Sequence, residues 1–141
     1  MKIVYMNDIS EKDYNRLRKA VAWEEIPSRA AQTGLNNSKL IVVAVADGVP
    51  VGMARVLSDG GYIRYIADVI VHPDYQGLGI GRSKLNMIMS YIRESGEEGV
   101  RLLVCLLAAK GKEDFYMKFG FQERPNDDLG AGMSQWIEFS C

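Results

Sequence analysis

The chain has 141 residues, 48% of them apolar and 25% charged, which suits one soluble domain over residues 1–141 with a core that needs no disulfide. Its 17 basic and 18 acidic residues leave a net charge of −1, without the basic excess that a general nucleic-acid binder carries. One His and two cysteines, Cys105 and Cys141, argue against a metal site and for a reducing, cytoplasmic setting. No run reaches the ~18 apolar residues of a spanning helix, and Met1 to Asp8 lacks the apolar core of a secretion signal, so no membrane is expected.

In chain order, Lys2 to Met6 alternates as a strand does, and Asn7-Asp8 ends it. Ser10 with Asp13 resembles a capping box, after which Tyr14, Leu17 and Val21 recur at helical spacing. Pro27 to Asn37 holds a short helix, expected to stop at Gly34. Leu40 to Ala46 is a β-branched strand, Asp47-Gly48 a hairpin signal, and Val51 to Leu57 the return strand, with Gly52 a bulge or close-approach point. Asp59-Gly60-Gly61 turns into a third strand, Tyr62 to Val71, completing an antiparallel meander.

From Gly79 the apolar period lengthens to about 3.6, and Leu85, Ile88, Met89 and Ile92 form one helix face that ends at Ser95-Gly96. Val100 to Leu107 is almost wholly apolar, the pattern of a central strand covered on both faces. With a helix between them, this strand and Tyr62 to Val71 are expected to be parallel neighbours. Glu113 to Phe119 reads as a second helix stopped by Gly120; Phe121 starts another strand, and Gly132 to Phe139 closes the sheet. The class is α/β, with a mixed, largely antiparallel sheet of six to seven strands and about four helices.

Three glycines stand where the third strand meets its helix: Gln76-Gly77-Leu78-Gly79-Ile80-Gly81. A helix start exposes unpaired N–H groups and favours negative charge, and glycines let the backbone close round a phosphate. Gln76 adds an amide donor, while Arg82 and Lys84 add positive charge. Two other phosphate motifs fail: no Gly-Lys-Ser/Thr follows the spacer, and the glycine spacing does not fit the dinucleotide fingerprint. Glycines kept only for packing would produce the same turn.

The wider stretch Asp68-Val69-Ile70-Val71-His72-Pro73-Asp74-Tyr75-Gln76-Gly77-Leu78-Gly79-Ile80-Gly81 resembles the central motif of the GCN5-related N-acetyltransferases (GNAT), Arg/Gln-x-x-Gly-x-Gly/Ala after a strand. Phe115-Tyr116-Met117-Lys118-Phe119-Gly120-Phe121 resembles that family's second landmark, and the order of elements agrees from end to end. The resemblance implies that the strands around Asp68 to Val71 and Leu103 to Leu107 start paired and splay into a cleft for acetyl-CoA, with no metal. Backbone groups at Val69, Ile70 and Val71 would hold the thioester and its oxyanion. Gln76, Gly77, Leu78, Gly79, Ile80, Gly81 and Arg82 would surround the pyrophosphate.

By the same resemblance Tyr116 is the acid for the departing thiolate, and it also borders the cofactor. A free thiol has pKa ~8.5 and a phenol ~10, so a tyrosine is able to donate. Asp68 is the candidate base, or attracts an ammonium substrate; a hydrogen bond to the opposite strand is the equal alternative. His72 is the only imidazole, but it precedes Pro73 in a turn, where a turn role is favoured. Ala109 stands where many relatives carry an Asn, and Lys110 and Lys112 nearby would face a phosphate or simply solvent. Cys105 is read as a small buried hydrophobe rather than an acetyl carrier.

Acceptor candidates by type and location are Trp23, Arg29, Asp59, Tyr65 and Met133, with Glu24, Tyr62 and Trp136 behind them. The leading expectation is transfer to the primary amine of a small molecule. A protein lysine or N-terminal amine, or an acyl-CoA sensor without turnover, are the alternatives. Pairing into a homodimer through the C-terminal strands is the expected assembly.

Overall fold

Alternation over Ile3–Met6 (β1), β-branched residues over Leu40–Ala46 (β2) and Ile63–Val71 (β4), and the hairpin return over Val49–Leu57 (β3) all emerge as strands, since side chains crowded at Cβ fit a pleated surface. The structure, a computed structural model, describes residues 1–139, and the chain divides into two compact units, Met1–Leu106 and Leu107–Cys141. In the first unit the four strands pair antiparallel in sequence order, and Leu103–Leu106 (β5) joins parallel to β4, giving the sheet order β1-β2-β3-β4-β5. The Asp47-Gly48 hairpin has positive φ at both residues, 50° and 81°, the backbone that matches the twist of the strands it joins.

Successive β2 residues face opposite ways, and the two faces are covered by different helices. Tyr14 and Leu17 of Glu11–Ala20 (α1), with Ala31 and Leu35 of Ser28–Asn36 (α2), pack on Ile41, Val43, Val45 and Met53. On the other face Ile80, at the start of Ile80–Glu94 (α3), meets Ala44, Ala46 and Val51. Ser10 caps α1 by accepting the Asp13 N–H at 3.1 Å.

Four expectations need correction. The α2 helix runs through Gly34 to Asn36: Gly34 has no left-handed φ to stop it, its carbonyl accepts from Arg55 Nη1 at 3.1 Å, and a Cβ would make an ordinary contact 3.5 Å from that guanidinium. The sheet has five strands among the described residues, not six or seven. No strand forms at Phe121 or over 132–139, so β5 is an edge, and Leu103 is 45% exposed. An apolar run reads as central only if strands pair with both its edges, and among the described residues β5 pairs with β4 alone.

The second unit, described by itself, holds Glu113–Met117 (α4) and a left-handed Gly120 with φ 92°, the expected helix stop. Met133, Trp136 and Phe139 are strongly exposed. Cys105 is a free thiol, and Cys141 lies outside the described residues. No described helix is long and apolar enough to cross a membrane.

Candidate active site

The site begins with an irregularity in β4. Met53 pairs with Ile70 but Arg55 pairs with Ala67, so β4 carries one residue more than β3 between these points. Asp68 lies in this bulge with φ 53°, a left-handed conformation that costs a residue with a Cβ about 1–2 kcal/mol. Its carboxylate is what holds it there. Oδ2 accepts from Tyr14 Oη at 2.6 Å and Arg55 Nε at 2.7 Å, and Oδ1 accepts from Arg18 Nη1 at 2.9 Å. Burial, then the hydrogen bond to Asp68, raise the Tyr14 pKa above its ordinary value.

Both oxygens of Asp68 are engaged and two guanidinium groups touch it, so the hydrogen-bonded strand carboxylate named as the alternative to a base is present, and it reaches α1 as well as the opposite strand. The parallel ladder between β4 and β5 covers only Ile63↔Leu103 to Ile66↔Leu106, and β4 continues through Val71 without a β5 partner. Val69, Ile70 and Val71 belong to this stretch of β4 beyond the parallel ladder.

After β4 the chain makes one tight turn, Pro73–Tyr75, capped by His72, whose Nδ1 accepts the Asp74 N–H at 3.1 Å. The turn role for His72 therefore holds. Gln76 Nε2 donates to the Val71 carbonyl at 3.1 Å, closing the loop instead of adding only a phosphate donor. Gly77 and Gly79 both have φ 80°, and a Cβ on either would meet nothing within 4 Å. Backbone conformation, not packing, is what requires glycine there.

Gly79 is the N-cap of α3, and the first helical bond runs from the Ser83 N–H to the Gly79 carbonyl at 3.0 Å. The N–H groups of Ile80, Gly81 and Arg82 meet no acceptor among the described residues, and Gly79 offers no capping side chain. An anion on these groups would satisfy three donors at the positive end of a long helix. Arg82 and Leu78 are exposed beside them. The residues present therefore fit a pyrophosphate.

Lys84 does not supply charge to this turn. It is wholly buried, and its ammonium donates to the Met53 carbonyl at 2.6 Å and the Ile70 carbonyl at 2.5 Å. Burial pushes its pKa down to about 7. One signal was visible in the sequence: Lys84 lies four residues before Ile88 and so falls on the apolar stripe of α3. Arg18, four residues after Tyr14, and Arg55, two after Met53, also fall at apolar positions, but their shared partner Asp68 is far away in sequence.

In the second unit Tyr116 is buried, edge-on to Phe115 at 5.1 Å and to Phe121 at 6.2 Å between ring centres. Burial pushes its phenol up to about 12, so it stays protonated at neutral pH. The Ala109 carbonyl accepts the Lys112 N–H in a turn, and Lys110 and Lys112 are exposed.

The acceptor candidates scatter. Trp23 packs on the α1–α2 core beneath the Arg18 guanidinium, 5.4 Å from its ring centre. Asp59 is occupied in its own turn, accepting the Gly61 N–H at 2.8 Å. Tyr65 is half-buried in β4 opposite Leu57, Arg29 is exposed on α2, and Met133 is exposed outside any strand.

A five-stranded sheet with one parallel pair, a bulged strand and an open helix start after Gln76-Gly77-Leu78-Gly79 defines an acyltransferase of the N-acetyltransferase type. Residues 37–123 match the acetyltransferase (GNAT) domain, and the chain belongs to that family. It is 30% identical to the uncharacterised N-acetyltransferase ycf52 of Pyropia yezoensis over 92% of this chain and 76% of that one. A probable acetyltransferase of methicillin-resistant Staphylococcus aureus superposes with a TM-score of 0.84 at 30% identity, over 98% of this chain and all of that one. A predicted acetyltransferase of Clostridium acetobutylicum, solved with acetyl-CoA, shares the fold at a TM-score of 0.64 and 19% identity, over 99% and 96% of the chains.

Proposed function

We propose that the chain moves an acetyl group from acetyl-CoA directly to the primary amine of a small molecule. One observation carries the donor half of this reading: three successive N–H groups, on Ile80, Gly81 and Arg82, lie open at the start of a long helix. Acetyl-CoA would supply the activated thioester, and the N–H groups of Ile80, Gly81 and Arg82 would hold its pyrophosphate at the turn that Gly77 and Gly79 make possible. Backbone groups at Val69, Ile70 and Val71, on the stretch of β4 without a β5 partner, hold the thioester and donate to its carbonyl oxygen.

Tyr116 protonates the departing sulfur. Its place in the Phe115 to Phe121 motif supports that role, with burial holding the phenol protonated but making it a weaker donor. Asp68 positions the bulge and takes no proton itself. The amine attacks the thioester carbon as the neutral base, its ammonium proton having gone to water beforehand. As the C–N bond forms and the C–S bond breaks, the nitrogen releases a second proton to solvent, which reprotonates Tyr116. Pairing through residues 132–139 into a homodimer also belongs to this reading, and light scattering tests it.

The test is a panel of amines with acetyl-CoA, following free thiol release by the wild type and Tyr116→Phe. Turnover on at least one small amine is expected, with kcat about 100-fold lower in Tyr116→Phe. Tight CoA binding without turnover on any amine would instead favour a sensor, and turnover only on peptides a protein acetyltransferase.

A further inference from the structure

Lys84 is a buried cation with no ion pair among the described residues. Its hydrogen-bond partners are two main-chain carbonyls, on Met53 and Ile70. Those two residues face each other across β3 and β4, on the last regular pair before the bulge. A methionine would fill much of the same volume without the cost of desolvating an amine, so packing alone does not explain a lysine here. What the lysine adds is direction: it joins the second turn of α3 to one particular peptide of β4.

Gly52 is fitted to the same contact. A Cβ there would lie 3.0 Å from the Ile70 carbonyl oxygen, 3.4 Å from Ile80 Cγ2 and 3.5 Å from Lys84 Nζ. Gly52 has no positive φ, so close approach and not backbone conformation accounts for the glycine. The carbonyl, the amine and the start of α3 converge on the space it leaves.

We infer that Lys84 is a positioning residue that fixes the phosphate-holding start of α3 against the Ile70 peptide next to the bulge, setting the separation between the two ends of the bound donor. This rests on the acetyl-CoA reading above. The ends are held by different elements, α3 for the pyrophosphate and β4 for the thioester, and a misplacement of about 1 Å at the reacting end is able to cost 100-fold in rate. Anchoring at the pyrophosphate does not need the strut.

The experiment compares wild type, Lys84→Met and Gly52→Ala by CoA titration calorimetry and by thiol release with the fastest amine of the panel. Lys84→Met is expected to lower kcat at least tenfold while the Kd for CoA changes less than threefold. Gly52→Ala keeps the amine but crowds the contact, and is expected to lower kcat about threefold with the same unchanged Kd. A wild-type kcat in Lys84→Met overturns the inference, and so does a Kd that weakens in step with kcat. If Lys84→Met fails to fold, Gly52→Ala decides: a lowered kcat at constant Kd supports the strut, and an unchanged kcat removes it. Failure of the wild type itself to bind CoA would sink the acetyl-CoA reading instead.

Discussion

Asp68 and Lys84 lie at the same bulge with opposite charge and opposite company. Asp68 reaches towards α1 and meets a phenol and two guanidinium groups; Lys84 reaches in from α3 and meets two neutral carbonyls. The first side is a charge-paired network that holds a left-handed residue in place. The second is an amine kept out of water without a counter-charge. A paired charge is held by its neighbours, whereas an unpaired one is stabilised by losing its proton, and the two respond differently to mutation and to pH.

The largest effect should come from breaking the paired side. Asp68→Ala leaves Arg18 and Arg55 without a counter-charge at low exposure, and a loss of about 3–5 kcal/mol is expected in urea unfolding. A loss of activity with unchanged stability would reverse the comparison and return Asp68 to the role of base.

The pH dependence probes the unpaired side. The Lys84 pKa is about 7 folded and ordinarily 10.5, so between these values the unfolded chain binds the extra proton and stability rises with pH. The gain should reach about 2 kcal/mol between pH 7 and 9, fading as pH falls through 7. Denaturant titrations of wild type against Lys84→Met measure it; an equal slope in both would show that Lys84 stays charged when buried. Tyr116 has the opposite sign, since its raised pKa gives stability present below pH 10 and lost towards 12.

The smallest effect is expected from Tyr14→Phe, which removes one hydrogen bond to Asp68 but leaves both guanidinium groups, at about 1.5 kcal/mol. A loss as large as that of Asp68→Ala would mean that Tyr14, not the arginines, holds the bulge.

The elements most legible in the sequence were those whose pattern is local. The β-branched run of β2, the Asp47-Gly48 hairpin and the capped start of α1 depend on neighbours within a few residues, and each forms as expected. The parallel pairing of β4 with β5 followed from the helix between them. Expectations that needed a distant partner fared differently. The sheet stops at five strands among the described residues, and the partners of Asp68 come from α1 and β3.

Sequence by itself determined the family, the strand-turn-helix with Gly77 and Gly79 at its bend, and the open N–H groups, because left-handed glycines and helix starts are properties of the chain over a few residues. Only tertiary structure decided how the charges are used. Asp68, Tyr14, Arg18 and Arg55 come from separate elements, and Lys84 reads as a phosphate ligand until its burial is known. Charge is written in the residue; whether it faces an anion, a partner or a bare carbonyl is set by packing across the sheet.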